Sequence, residues 1–201
     1  MGIARERFEQ GLTYDEWKAR MTRNREQFDE NERTAPVTPD DLAAFRALPR
    51  ALHVVVLAED WCGDVVANLP ILGRIATETG RLDLRVFLRD QNVDLMDQYL
   101  NQGTFRSIPV FAFFDEDFRQ LAVFTERPGS VTEMRDRRRR EIYASDAAFG
   151  SPTDPADRLA PEVRDRLGEA IVAMRKETKP FADREVIREL RELLSPKAVR
   201  G

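Results

Sequence analysis

The sequence predicts an α/β domain in which a mixed β-sheet lies between helices, with further helices at both ends. Three observations predict it. The run His53-Val-Val-Val-Leu-Ala58 is continuous and rich in β-branched residues, the pattern of a central strand buried on both faces. Helix-like and strand-like patterns alternate around it, the order that generates parallel strand pairs. Two closing strands, at 109–114 and 119–125, are joined by Asp115-Glu116-Asp117 as an antiparallel hairpin.

The elements follow in chain order. Thr13-Tyr14-Asp15-Glu16 is a capping box, with Thr13 capping a helix and Glu16 reaching back. Trp17, Met21 and Phe28 then form a thin apolar stripe on a polar rod, which must dock on the domain or on a second copy of the chain. Pro36 breaks that rod. Thr38-Pro39-Asp40-Asp41 starts the next helix, with Thr38 as N-cap, proline at the first helical position and acids in the first turn. After the central strand, residues 60–64 turn into a helix that runs through Val66, Leu69, Leu72 and Ile75 and ends at Gly80. Residues 82–88 alternate apolar and charged, a second strand. Asn92 caps a short helix through Leu100, stopped by Gly103. Pro128-Gly129-Ser130 opens a charged helix to about Tyr143. A linker-like stretch at 145–157 precedes two amphipathic helices at 161–178 and 183–194. The resulting division is an N-terminal helical extension (1–37), a core (38–142) and a C-terminal linker with helices (143–201).

Composition narrows the function classes. Of 201 residues, 34% are charged, but in both signs, and the net charge of −4 gives no electrostatic reason to expect nucleic acid or an anionic membrane as partner. The longest apolar run, 52–58, is too short to cross a bilayer. The first residues carry no signal-peptide pattern, and the one cysteine rules out an internal disulfide. A reduced, cytoplasmic compartment is the simplest reading. One Cys and one His supply too few soft ligands for a metal site, and no cofactor-binding motif is present. His53, at the start of the central strand, lies at the end away from Cys62 and reads as structural. The arginines of Arg135-Asp-Arg-Arg-Arg-Arg140 fan around a helix among Glu133, Asp136 and Glu141, a solvated salt-bridged face.

Glu59-Asp60-Trp61-Cys62-Gly63-Asp64 lies between the buried strand and the long helix. A cysteine at a helix N-terminus faces unpaired N–H groups and the positive end of the dipole, both of which favour thiolate. Gly63 permits a tight turn beside the sulfur, and Trp61 offers apolar cover. Further on, Ser107-Ile108-Pro109-Val110 opens the strand before the hairpin. The segment around Cys62 resembles the thioredoxin active-site turn, usually Trp-Cys-Gly-Pro-Cys, and the segment around Pro109 is similar to the thioredoxin cis-proline loop. The resemblance covers roughly 38–142 and is nearest to bacterial thioredoxin-like proteins with a Trp-Cys-Gly-Asp turn and helices at both ends. It implies a thioredoxin-like three-layer sandwich. It also implies a catalytic turn at Trp61, Cys62, Gly63 and Asp64, and a substrate-binding loop at Ile108 and Pro109. A cis bond at Pro109 turns the preceding backbone toward an extended substrate, so that Ile108 can pair with a bound peptide.

The departures are as informative. The second cysteine of the motif is Val65, the usual central proline is Asp64, and the buried acid that many thioredoxins carry in the preceding strand is Val56. Valine cannot resolve a mixed disulfide. Asp64, with Glu59 and Asp60, adds negative charge near the sulfur. One carboxylate at about 5 Å costs a thiolate on the order of 3 kcal/mol at an effective dielectric near 20. The helix dipole returns only roughly 0.3–1 kcal/mol. Cys62 is therefore expected to be a weak nucleophile, with a pKa near or above about 8.5. Asp64 itself reads as a helix-dipole acid rather than a catalytic one.

These residues imply a monothiol redox or thiol-binding protein that needs an external resolving thiol, not a self-sufficient dithiol oxidoreductase. The alternative is a non-redox module that binds a peptide or partner in the groove beside Pro109. A third reading borrows the second thiol from a partner chain. The expected partners are a protein or peptide client or a low-molecular-weight thiol, and the terminal helices offer a homodimer surface.

Overall fold

The computed structural model describes residues 2–195, so the outermost ends of the two terminal segments lie outside the described residues. The chain divides into two compact units, residues 2–127 with 186–195, and residues 128–185.

The first unit begins with α1 (Arg5–Phe8), β1 (Leu12–Thr13), α2 (Tyr14–Arg20), α3 (Arg25–Thr34) and α4 (Pro39–Arg46). The alternating part follows as β2 (Leu52–Ala58), α5 (Gly63–Thr79), β3 (Leu82–Leu88), α6 (Val93–Met96), β4 (Val110–Phe114) and β5 (Gln120–Thr125). The sheet order is β1-β3-β2-β4-β5. β2 runs parallel to β3 (Val54 opposite Leu84) and antiparallel to β4 (Val55 opposite Ala112). β4 and β5 form the expected hairpin. The apolar run is thus the middle strand, and Val54 to Ala58 are buried on both faces.

The capping box at Thr13 forms, and the Thr38 N-cap proves to be a second one. Glu16 N donates to Thr13 Oγ1 at 3.3 Å while Thr13 N donates to the Glu16 carboxylate at 2.8 Å. Thr38 and Asp41 exchange the same pair of bonds at 3.2 and 3.0 Å. The N-terminal rod, however, is two helices, α2 and α3. Asn24 takes a left-handed conformation (φ 56°) that asparagine tolerates. The bend is held by Asp60 Oδ2, which accepts from Thr22 N (2.6 Å) and Arg23 N (2.9 Å). The stripe docks inward: Trp17 and Phe28 are fully buried, their rings 5.3 Å apart.

α5 contains Pro70, which cannot donate the helical bond to Val66 O. That carbonyl instead accepts from the buried Asn31 Nδ2 of α3 at 2.8 Å, so the proline is accommodated by a side chain two helices upstream. Gly73 is required for the same packing. A Cβ there would lie 2.2–2.7 Å from the Tyr14 ring, whose hydroxyl donates to Glu32 at 2.6 Å.

Three other expectations change. β1, unforeseen because it is two residues long, extends the sheet by pairing Leu12 with Val86. Asn92 does not cap α6 through its side chain; it reaches back to Leu88 O at 2.8 Å, and the helix stops at Met96. The two C-terminal helices are one, α8 (Pro161–Leu193), with Pro180 inside it. The last turns of α8 belong to the first unit, where Val186, Ile187, Leu190 and Leu194 are buried and Arg191 pairs with the buried Asp41 at 2.8 Å.

The second unit holds α7 (Gly129–Ser145) and the remainder of α8. Its apolar cluster is small: Tyr143, Phe149 and Leu167 are buried, with Ile142, Leu159, Val163 and Ile171 against them. Phe149 comes from the segment that reads as linker. Arg138 pairs with Glu141 and Glu177 at 3.0 and 2.8 Å, in keeping with a salt-bridged face.

Candidate functional site

Strand β2 delivers the chain to the turn at 59–62, and α5 begins directly after the sulfur. Cys62 is the N-cap residue of α5 in extended conformation (φ −83°, ψ 120°), and its N–H donates to Glu59 O at 3.2 Å. Gly63 is the first helical residue; the glycines with positive φ lie elsewhere, at 80, 103 and 150. Val65, in the place of a second cysteine, is fully buried, as is Val56 in the middle of β2. Cys62 is the free cysteine, partly buried.

The Pro109 loop closes on the sulfur. The Ile108–Pro109 bond is cis, and Cys62 Sγ donates to Ile108 O at 3.5 Å. The Ile108 side chain and Pro109 are buried, so the loop offers its backbone rather than its side chains. Trp61 is 43% exposed, with the Arg89 guanidinium 4.8 Å from its ring centroid. Arg89 Nη1 also donates to Arg106 O at 3.2 Å, next to the exposed Phe105.

The thiol pKa is raised above its ordinary value, the direction the sequence implies, but the leading cause differs. Burial contributes most, the amides of Val65 and Asp64 partly offset it, and the carboxylates of Asp64 and Glu126 add smaller upward pushes. Glu59 and Asp60 do not turn toward the sulfur. Glu59 Oε1 accepts from Asp90 N at 2.9 Å and is itself pushed up chiefly by burial; Asp60 holds the α2–α3 bend. Backbone N–H groups needing acceptors have claimed both acids.

Asp64, read from the sequence as a helix-dipole acid, also has a specific counter-ion. Its carboxylate is nearly buried and paired with Arg127 Nη2 at 3.0 Å. Arg127 also bonds Glu126 Oε1. Glu126 sits at a positive φ of 60°, where its N–H donates to Pro109 O (2.7 Å) and its carbonyl accepts from Asn68 Nδ2 (2.8 Å). Asn101 Nδ2 donates to Glu126 Oε2 at 3.1 Å and to Ser107 Oγ at 3.3 Å. Asn68, Asn101, Glu126 and Arg127 therefore join the site unforeseen. One signal did exist: Asp64 and Asn68 are polar residues four apart on the otherwise apolar first half of the helix, hence on one face. Nothing local marks Arg127.

His53 stands at the far end of β2, stacked on Phe118 (centroids 4.3 Å apart) and 3.4 Å from Asp83. It is structural. Among the described residues no helix is long and apolar enough to cross a membrane.

A mixed sheet with helices around it, a cysteine at the helix start and a cis-proline loop against the sulfur define a thioredoxin-like protein. The Thioredoxin_9 family, described as thioredoxin, matches residues 11–140, and the chain belongs to that family. The match takes in β1, α2 and α3 as well as the motifs. Among solved structures, the chain is similar to a Pseudomonas aeruginosa protein of unknown function, 16% identical with a TM-score of 0.59, covering 88% of this chain and 99% of that one. It is also similar to an HIV epitope-scaffold, 17% identical with a TM-score of 0.57, covering 85% and 96% respectively. Such likeness shows the fold alone. No curated protein matches.

Proposed function

We propose that this chain is a monothiol exchange protein. The supporting observation is the placement of Cys62, partly exposed, at the start of α5 and against the Ile108 carbonyl, with valine where a resolving thiol would stand. The Cys62 proton passes to solvent and the thiolate attacks a disulfide RS–SR. A Cys62–SR mixed disulfide forms and RS⁻ leaves. A second, external thiolate then attacks the SR sulfur, forming a new disulfide and returning Cys62 as thiolate. The client is a protein, a peptide or a low-molecular-weight thiol, and a reducing cytoplasm suits the cycle. Because the thiol pKa is raised, exchange speeds up with pH as the thiolate fraction grows. Incubation of the reduced protein with oxidised glutathione at about pH 8 should give a single adduct by intact mass, absent in Cys62→Ser. No adduct after prolonged incubation overturns the proposal.

A second reading has its own observation. Trp61, next to Cys62 in the chain, and Phe105 both expose large apolar rings, and the thiol pKa is raised, which suits a non-redox surface for a peptide or partner. On that reading Cys62→Ser leaves partner binding intact, whereas on the first it abolishes the covalent capture.

A further inference from the structure

Two carboxylates, Asp64 and Glu126, lie near a sulfur that must become an anion to react, and both oppose its ionisation. Asp64 comes from the first turn of α5 and Glu126 from the end of β5. Each is mostly buried, with side-chain exposures of 11% and 25%. Arg127 meets both. Its guanidinium reaches Asp64 Oδ2 at 3.0 Å and bonds Glu126 Oε1, and its Nε is buried with no hydrogen-bond partner. Arg127 thus directs one guanidinium nitrogen, Nη2, at both acids. The other charges of the turn face elsewhere: Glu59 toward Asp90 N, Asp60 toward Thr22 and Arg23, and Arg89 over Trp61.

We propose that Arg127 is a positioning residue for the Cys62 thiol, compensating Asp64 and Glu126 so that the sulfur can ionise beside them. It touches neither sulfur nor substrate; it acts through the carboxylates. The Asn101 bonds to Glu126 and to Ser107 extend the same cluster into the Pro109 loop, and so fix the charge pair relative to the place where a substrate would lie. This rests on Cys62 reacting as a thiolate, the premise of the proposed exchange.

The sign follows from charge. Removing Arg127 takes away a positive charge held between two carboxylates near the sulfur, which raises the thiol pKa and lowers the thiolate fraction at neutral pH. Removing Asp64 does the reverse. The test is the pH–rate profile for alkylation of Cys62 by iodoacetamide, in which the thiolate displaces iodide and the thiol proton goes to solvent. Arg127→Gln should move the midpoint up by about one unit, slowing alkylation near pH 7.5 by roughly fivefold to tenfold. Arg127→Lys, which keeps the charge, should restore most of the rate. Asp64→Asn should move the midpoint down. If Arg127→Gln alone fails to fold, Asp64→Asn/Arg127→Gln is compared with Asp64→Asn, which reads the same cation with the carboxylate at position 64 already removed. A higher midpoint in the double variant supports the role. Superposable profiles for wild type and Arg127→Gln, or for that second pair, overturn it. Iodoacetamide needs no disulfide, so failure here leaves the exchange reaction standing, and an absent glutathione adduct leaves this result standing.

Discussion

Residues 14–34 and residues 128–185 are both helical, both heavily charged and both outside the alternating strand–helix pattern, yet they are held in different ways. The first stretch commits two whole aromatic side chains to the core, Trp17 and Phe28. It also supplies a polar plug, with Asn31 closing the carbonyl that Pro70 leaves open. The second keeps a small cluster of its own around Phe149, with salt bridges on its surface and large apolar side chains, Val172 and Phe181, still exposed. Surface pairs of that kind contribute little, typically about 0–1 kcal/mol. Mean composition does not separate the two cases. The separation comes from what each helix places at its few inward positions.

Three substitutions can break or sharpen this contrast. Phe28→Ala should have the largest effect, about 3–5 kcal/mol of stability lost by urea denaturation, because a fully buried ring leaves a cavity among Trp17, Tyr14 and α5. A loss below about 1 kcal/mol would put α3 on a par with surface packing. Asn31→Ala should cost less, about 1–3 kcal/mol, since it strands the Val66 carbonyl without a donor. Replacing Pro70 with alanine in that background should recover much of the loss by restoring the helical N–H. Phe149→Ala should have the smallest effect on the first unit. Amide exchange should rise within 128–185 while β2 and β4 keep their protection. Equal loss in β2 would erase the distinction.

How much of this was legible depends on how far each cause acts along the chain. The capping box at Thr13, the N-cap at Thr38, the Gly80 stop and the β2 run are local chemistry and could be read directly. So could the thiol turn and the Pro109 loop, because their residue order carries the meaning. The break at Asn24 depends on Asp60, far away in sequence, and a continuous amphipathic stripe hides it. Pro180 reads as a helix breaker, yet α8 passes through it. At the site, Cys62 and Asp64 were legible as residues, but their electrostatics were not. Sequence puts the acids of the turn first. The fold instead assigns Glu59 and Asp60 to backbone donors, gives Asp64 a counter-ion from Arg127, and leaves burial as the main influence on the sulfur.

The two tryptophans end up in opposite environments: Trp17 is 2% exposed beneath the N-terminal helices, and Trp61 is 43% exposed beside Cys62. Their fluorescence is therefore split by location. Trp17 emits from a dry site that aqueous iodide cannot reach. Trp61 emits from a wet one, with a guanidinium over its ring. A quencher-sensitive, longer-wavelength component reports what happens at the thiol, while the shielded, shorter-wavelength component reports whether the N-terminal helices are seated. The chain carries its own optical readout of chemistry and of folding, without an added label.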